Sequence, residues 1–289
     1  MFVPGGSFLG SFPNVVSLSQ NMLPFEKKER NRFPKWQSRL RFKLLYFTQK
    51  YTFKRSKAVI FLTNYAKEFI SKRINLSTMT TIIPHGINLD FTSPPRPQLS
   101  ISEYTSQNPF KLLYVSIITF YKHQWNVAEA VLKLRTEGYP IELELVGGIK
   151  PLCLKKLNDV LKKDTNNIIN YKGKIAYDDL GVVYKNADGF IFASSCENMP
   201  IILVEAMTAG LPICSSDMGP MQEVLGDSAF YFDPLDVNKI YKAVKEMLDS
   251  KNIRMKNANK SYNKSINYTW QSCSDKTFEY LSQIAKQNL

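Results

Sequence analysis

The chain has 289 residues, enough for one large domain or two ordinary ones, and its 44% apolar content allows a buried core. It contains no run of 18 apolar residues, and the residues after Met1 lack the charge and apolar pattern of a signal peptide, so we expect neither a membrane-spanning helix nor a signal peptide. The net charge is +13, and most of the excess lies between Lys27 and Lys57, a segment with twelve basic residues and one acidic residue.

The first part of the chain predicts a small α/β arrangement. Short apolar runs predict strands at 15–18, 58–62 and 81–83, and helical patterns occupy about 36–55 and 64–73. Three strands are few for a doubly wound sheet, so this part looks incomplete. Residues 92–108 are rich in Pro, Ser and Thr and predict a linker.

The second part alternates strands and helices with little interruption, a pattern that predicts a parallel, doubly wound sheet. The predicted strands are 111–116, 141–146, 168–171, 189–193, 212–215 and 229–232, and the predicted helices are 123–136, 151–163, 177–186, 200–209, 219–225 and 236–249. After a polar segment rich in Lys and Asn, a final helix is predicted at about 269–287.

Two glutamates, Glu197 and Glu205, flank the predicted start of the helix at 200–209. Asn198 is a good N-cap and Pro200 suits a first helical turn, so the free N–H groups there predict an anion site favoured by the helix dipole. Carboxylates on either side of a phosphate suit the hydroxyls of a sugar–diphosphate–nucleoside. The alternative is a surface helix with two solvated glutamates. The preceding apolar strand favours the site, because open α/β sheets bind ligands at the carboxyl ends of strands.

Within the basic segment, an apolar stripe and a cationic stripe recur at helical spacing. This pattern suits a helix lying in an anionic membrane surface, with its basic side chains reaching the phosphates. The alternative is a helix packed on the sheet with solvated lysines. We expect no nucleic-acid partner, because no motif that reads nucleic acid is present. The residues expected to face the membrane are Trp36, Arg39, Leu40, Lys43, Leu44, Phe47 and Lys50.

An ordered series of motifs resembles the retaining GT-B glycosyltransferases of the family 4 type, or group 1 glycosyltransferases. The similarity runs over about 15–249 and is strongest over 171–234. The glutamate spacing alone is a weak signal, whereas the ordered series is specific. The similar segments are 84–88, 112–116 with 121–123, 173–188, 197–205 and 217–223.

The resemblance implies two Rossmann-like domains with the active site in the cleft, the second binding a nucleotide-sugar and the first presenting the acceptor. It implies that Glu205 hydrogen-bonds the ribose, that Glu197 contacts the donor sugar and stabilises an oxocarbenium-like state, and that Lys122 neutralises the diphosphate leaving group. The N–H groups after Met199, with Ile201 among them, would lie near the sugar and phosphates. No metal or other cofactor is implied.

Three further donor-side candidates each have a structural alternative. His85 faces the donor or acceptor, or is a turn residue that follows strand 81–83. Glu223 contacts the donor, or only caps the helix that it opens. Gly219 is expected to permit a close approach of its backbone to the ligand.

The sequence departs from the family pattern in three places. Ile117 stands where a second phosphate-binding cation, an Arg, is usual, which leaves His123 or the basic segment to replace it. Gln20 holds the place of a frequent His, which argues against acid–base catalysis from the first domain. Several β–α units that precede a segment like 15–21 in the family are missing. The chain is then a truncated relative, has its true start upstream, or is completed by another polypeptide.

These features predict an α/β protein of the GT-B class with an incomplete N-terminal domain. We expect a partial acceptor-side domain at 1–95, a linker at 96–109, a nucleotide-sugar-binding domain at 110–265 and a helix at 266–289 that packs back on the first domain.

The expected activity is retaining hexosyl transfer to a glycan or lipid-linked acceptor in cell-surface polysaccharide or lipopolysaccharide assembly. The four cysteines lack metal-ligand spacing and fit reduced thiols, so we expect a cytoplasmic protein. Because of the basic segment, we expect it at the inner face of the plasma membrane. The alternatives are a catalytically impaired protein that only binds nucleotide-sugar and a basic membrane-docking adaptor.

Overall fold

The computed structural model describes residues 1–286, except for the side chain of Leu89, and divides into two compact units. The first unit comprises Met1–Ile87, Cys196–Ile201 and the chain from Asn267 onward, and the second comprises Asn88–Ser195 and Ile202–Ile266. Each unit contains one parallel sheet, which confirms the predicted α/β class.

The first unit is built on a four-stranded parallel sheet in the order β1-β2-β3-β4. Its elements are β1 Phe2–Val3, β2 Val16–Leu18, α1 Lys27–Arg30, α2 Trp36–Arg55, β3 Ala58–Phe61, α3 Asn64–Ile74, β4 Met79–Ile82 and α11 Trp270–Lys286. β1 is absent from the sequence-based prediction, because two residues are too short to show a period. Its pairing with β2, which aligns Phe2 with Val16, is what defines it.

The long helix α2 has the bounds that the sequence predicts. It buries Gln49, Thr52 and Phe53, and the Phe53 ring stacks on Phe25 with a centroid distance of 6.0 Å. Although it has 20 residues, neither α2 nor any other helix within residues 1–286 combines the length and apolar character that crossing a membrane requires.

The chain returns to the first unit just before α11, where residues 268–270 lie close to Gly86. The Ile87 N–H donates to the Tyr268 carbonyl at 3.1 Å, and a Cβ added at Gly86 would lie 2.0 Å from the Trp270 nitrogen. Glycine is therefore required where the start of α11 meets the segment after β4. This contact groups α11 with the first unit.

The second unit is built on a six-stranded parallel sheet in the order β10-β9-β8-β5-β6-β7. β6 and β7 follow on one side of β5, whereas β8 and the later strands lie on its other side, so the strand order reverses at β5. Open α/β sheets bind their ligands outside the carboxyl ends of the strands at such a reversal. The elements are β5 Phe110–Val115, α4 Gln124–Thr136, β6 Ile141–Val146, α5 Leu154–Leu161, β7 Ile169–Gly173, α6 Leu180–Lys185, β8 Gly189–Phe192, α7 Ile201–Thr208, β9 Ile213–Ser216, α8 Met221–Leu225, β10 Phe230–Phe232, α9 Val237–Asp249 and α10 Lys251–Ser265.

Helix α10 occupies the segment that the sequence suggests is merely polar. Its buried positions are mostly polar and include Arg254, so no apolar stripe marks the helix. The fully buried Arg254 guanidinium donates to the carbonyls of Met247, Leu248 and Leu99 and to Gln98 Oε1. These bonds hold Gln98 and Leu99 of the predicted linker, and the whole of residues 96–109 belongs to the second unit.

Candidate active site

In the second unit, two candidate donor-side residues lie in loops that follow strands of the sheet. Lys122 lies after β5 and Gly219 after β9, and β8 is the strand between these two. Because parallel strands end at the same edge of a sheet, these loops lie together at the edge where α/β folds bind ligands.

Lys122 is held in a fixed place at this edge. It is 5% exposed, and its Nζ lies 4.6 Å from the ring centroid of Phe192, within the range of a cation–π interaction. The Tyr114 hydroxyl donates to the Lys122 carbonyl at 2.5 Å and accepts from the Ala193 N–H at 3.2 Å. The loop that carries Lys122 is therefore connected to both β5 and β8.

His123 and Ile117 occupy the two places considered for a second phosphate-binding cation. His123 is buried, has a left-handed backbone with φ of 50°, and its Nε2 lies 2.9 Å from Ser195 Oγ. Ile117 is 40% exposed, and its carbonyl accepts from Gln124 Nε2 at 3.2 Å. The structure therefore has an exposed apolar side chain at the family's Arg position and a histidine already bonded to Ser195.

Glu205 is a buried carboxylate on α7. It is 5% exposed, and its Oε2 accepts from the hydroxyl of Tyr184, a fully buried residue of α6, at 2.9 Å. Burial raises the pKa of Glu205, and the hydrogen bond from Tyr184 acts in the opposite direction. Burial also raises the pKa of Tyr184 well above its ordinary value, so the hydroxyl stays protonated and donates.

Aromatic rings lie beside Tyr184, the hydrogen-bond partner of Glu205. The Phe91 ring makes edge-to-face contacts with Tyr184, at a centroid distance of 5.6 Å, and with Tyr177, at 5.2 Å. Tyr177 is half exposed, and burial, followed by the charge of Glu205, raises its pKa. Sequence reasoning missed Tyr184 and Tyr177. Both lie in the segment 173–188 that resembles the family, but nothing local marks a tyrosine whose partner is 21 residues away.

Helix α7 begins at Ile201, one residue later than the sequence suggests. Pro200 therefore precedes the helix, and Asn198 lies too far upstream to cap it. The Asn198 side chain has another role, because its Nδ2 donates to Ser19 Oγ at 3.3 Å while its buried Oδ1 makes no hydrogen bond. Glu197, just before it, is half-buried.

The segment 196–201 contacts other residues of the first unit. The Thr63 hydroxyl donates to the Asn198 carbonyl at 2.9 Å, and the His85 N–H donates to Met199 Sδ at 3.2 Å. The His85 ring lies 5.5 Å from that of Trp270, and burial lowers the pKa of its imidazole, which favours the neutral form at neutral pH. His85 thus supports the segment before α7. That the His85 side chain faces the donor or the acceptor stays a prediction.

Gly219 and Glu223 lie at the start of α8. Gly219 has a φ of 65°, a left-handed conformation that favours glycine. The Glu223 side chain is exposed in the first turn of α8, and its carbonyl accepts from Lys264 Nζ at 2.9 Å. Contact of either residue with the donor stays a prediction.

Five exposed side chains of α2 form an apolar row, which we call the α2 stripe: four are predicted to face the membrane and the fifth is Tyr51, whereas the predicted Lys50 is half-buried. It is opposite to the residues that α2 buries, so this helix both packs on its unit and leaves an apolar face in solvent. The basic Arg39 and Lys43 beside the stripe are also exposed. The apolar members and their exposed fractions are Trp36 67%, Leu40 43%, Leu44 57%, Phe47 53% and Tyr51 41%.

Similarity to a known family defines the class of this protein. The family model of glycosyl transferases group 1 matches residues 97–264, more than half of the chain. The chain belongs to this family, which confirms the resemblance of its ordered motifs to group 1 glycosyltransferases.

Particular relatives and structures are similar to parts of the chain or to its fold. O-antigen chain mannosyltransferase B of Escherichia coli is 28% identical over 109 residues, 38% of this chain and 29% of that protein. Alpha-monoglucosyldiacylglycerol synthase of Acholeplasma laidlawii is 32% identical over 142 residues, 46% of this chain and 35% of that protein. The chain therefore aligns with well under two thirds of either relative's length.

Among solved structures, HepE of Anabaena in complex with UDP has a TM-score of 0.74 at 17% identity. The match covers 93% of this chain and 72% of that chain. This likeness confirms the GT-B fold, with only four strands in the first sheet.

Proposed function

We propose that this group 1 glycosyltransferase transfers a hexose from a nucleoside-diphosphate sugar to a glycan or lipid-linked acceptor, with retention, in cell-surface polysaccharide or lipopolysaccharide assembly. The observation that carries the proposal is the buried Glu205 carboxylate, which Tyr184 holds at one oxygen. The relatives named for O-antigen mannosyl transfer and glucosyldiacylglycerol synthesis support the acceptor class, and UDP in HepE supports the donor class.

In this proposal each site residue has one task. Glu205 accepts hydrogen bonds from the ribose hydroxyls, and charge-assisted bonds of this kind are among the stronger ones. Lys122 stabilises the diphosphate as it gains charge on leaving, so the proposed reaction uses no metal or other cofactor. Glu197 stabilises the positive charge that develops on the donor sugar.

The bond changes follow from these tasks. The bond between the anomeric carbon and the phosphate oxygen breaks, and the acceptor oxygen bonds to the same face of that carbon. The acceptor's proton passes to the leaving phosphate oxygen. This step needs no general base from the first unit, in keeping with the neutral Gln20 in place of a histidine.

Donor binding and turnover test the proposal separately. Calorimetry with UDP-, GDP- and dTDP-sugars should identify at least one that binds, and release of the nucleoside diphosphate should then depend on an added glycan or lipid-linked acceptor. A protein that binds none of them is no glycosyltransferase of this kind.

The exposed Ile117 favours a second candidate, a protein that binds nucleotide-sugar but transfers it poorly. Without the second cation, the leaving diphosphate receives less stabilisation in the transition state. Donor binding without acceptor-dependent release would favour this candidate over the first.

Replacing Lys122 by Gln should lower the rate of nucleoside diphosphate release by about 100-fold, because the leaving group loses a preorganised cation. Nucleotide affinity should fall less, since charge on the diphosphate grows in the transition state. The measurement is kcat and KM with the donor identified above. Lys155→Gln, an exposed lysine of α5, is the matched control and should behave as wild type. Equal rates in the two variants would remove Lys122 from the mechanism.

Replacing Tyr184 by Phe should move the pH dependence of nucleotide binding to higher pH. The Tyr184 hydrogen bond lowers the pKa of Glu205, so its loss raises that pKa further, and ribose binding uses the ionised carboxylate. Affinity should therefore fall by about tenfold at the acidic end of a titration from about pH 5 to pH 8 and recover at the alkaline end.

The matched control for this variant is Tyr139→Phe, which removes another tyrosine–carboxylate hydrogen bond of the second unit, 3.0 Å long, to Asp249. Its pH profile should match that of wild type. A Tyr184→Phe profile that also matches wild type would show that the carboxylate does not bind the ribose in its ionised form.

The proposal also includes a location, an anionic membrane surface at the inner face of the plasma membrane. Its support is the exposed α2 stripe with basic residues beside it, since such a helix binds through apolar burial and attraction to anionic lipid. The protein would then bind a lipid-linked acceptor at the membrane surface in which that acceptor is anchored.

A further inference from the structure

Three neighbouring strand ends of the first sheet contact the segment that carries Glu197. Ser19 follows β2, Thr63 follows β3 and His85 follows β4, and these strands are adjacent in the sheet. Their contacts go to Asn198 and Met199, and the whole segment 196–201 is part of the first unit. Glu205, eight residues after Glu197, belongs to the second unit.

The Thr63 hydroxyl makes two buried hydrogen bonds. It accepts from the Ala66 N–H at 3.1 Å, which caps α3, and it donates to the Asn198 carbonyl at 2.9 Å. A hydroxyl has one hydrogen to donate, so its donor capacity is used on the segment. Thr63 is 3% exposed, so removing the hydroxyl would leave the Asn198 carbonyl unpaired in a dry environment.

Ser19 holds the side chain of the same asparagine. Its Oγ accepts from Asn198 Nδ2 at 3.3 Å, and both residues are buried. Asn198 is thus held through its backbone by Thr63 and through its side chain by Ser19. Since Glu197 is the preceding residue, these two bonds limit where its backbone lies.

We propose that Thr63, together with Ser19, is a positioning residue that keeps Glu197 where it meets the donor sugar. This inference rests on the proposed function, in which Glu197 contacts the sugar and Glu205 the ribose. Thr63 and Ser19 then act on the affinity that the sugar adds, and not on the affinity for the nucleotide alone.

The test compares the affinity for a nucleotide-sugar with that for its nucleotide, using the pairs UDP-glucose and UDP, and GDP-mannose and GDP, by calorimetry. In wild type the sugar should add affinity in one pair. In Thr63→Val this gain should fall by about tenfold, because a misplaced contact group loses much of its effect, while nucleotide affinity stays unchanged. Glu197→Ala should lose the same gain, and Thr63→Ser should keep it.

Thermal unfolding separates positioning from stability. Thr63→Val also loses the cap of α3, so its Tm should fall, as it should in Asp236→Ala, which loses the cap of α9 at the Asn238 and Lys239 N–H groups. Only Thr63→Val should lose the sugar's contribution. Ser19→Ala removes no cap, so it should lose part of that contribution without a comparable fall in Tm, and it keeps the idea testable if Thr63→Val does not fold.

The outcomes distinguish two failures. Wild-type protein that binds none of the four ligands and no dTDP-sugar contradicts the proposed function itself. Wild-type protein that binds a nucleotide-sugar better than its nucleotide, with the same gain in folded Thr63→Val and Ser19→Ala, overturns only the positioning role. Equal wild-type affinity for a nucleotide-sugar and its nucleotide also overturns that role, because Glu197 would then have no sugar contact to lose.

Discussion

We expect Glu205→Ala to abolish nucleotide binding, with the affinity for UDP or GDP falling at least about 100-fold. The ribose hydroxyls lose a charged acceptor, and hydrogen bonds to charged groups contribute about 1.5–3 kcal/mol each. Calorimetry with the nucleotide alone measures the effect, since neither Glu197 nor an acceptor is needed for it. Glu129→Ala, a change on α4 of the same unit, is the control and should leave affinity unchanged.

The same substitution also affects stability in a way that must be separated from binding. It leaves the buried Tyr184 hydroxyl without its acceptor, which costs about 1–3 kcal/mol in the free energy of unfolding. Glu205→Gln retains an acceptor for Tyr184 and should be closer to wild type in Tm, yet it should still bind nucleotide more weakly because the charge is gone. A folded Glu205→Ala protein with wild-type affinity would refute the assigned role.

The second large effect is expected at a membrane surface. The triple substitution Arg39→Gln, Lys43→Gln, Lys50→Gln should lower binding to phosphatidylglycerol-containing vesicles by about 100-fold, because each basic residue near an anionic surface contributes about 1 kcal/mol. Sedimentation with vesicles, with and without the anionic lipid, measures it. Leu44→Ser with Phe47→Ser should also weaken binding, since these exposed side chains of the α2 stripe would enter the lipid.

The matched control removes the same number of positive charges from the second unit. Lys155→Gln, Lys162→Gln and Lys242→Gln remove three exposed lysines of the second unit, so any loss due to net charge alone would appear there too. Binding that is indifferent to the lipid charge, or an equal loss in both triple variants, would remove the α2 stripe as the docking surface.

The two sheets differ in how far the sequence predicted them. In the second sheet, β8 is an apolar strand that is buried throughout, and β6 alternates buried apolar residues with half-buried glutamates, so both are visible without knowledge of their neighbours. β1 and α10 were not visible in this way. The strand has two residues, and the helix buries Arg254 and other polar side chains, so neither has the periodicity from which elements are recognised.

The sequence by itself determined the family, the second sheet and the pair of glutamates, because these depend on local patterns and on the order of motifs. Only the tertiary structure decided what holds each glutamate. Tyr184 reaches Glu205 across 21 residues, Thr63 reaches Asn198 across 135 and Ser19 across 179. Hydrogen bonds between residues so far apart exist only once strand ends and helices have been brought together, and no local pattern of side chains encodes them.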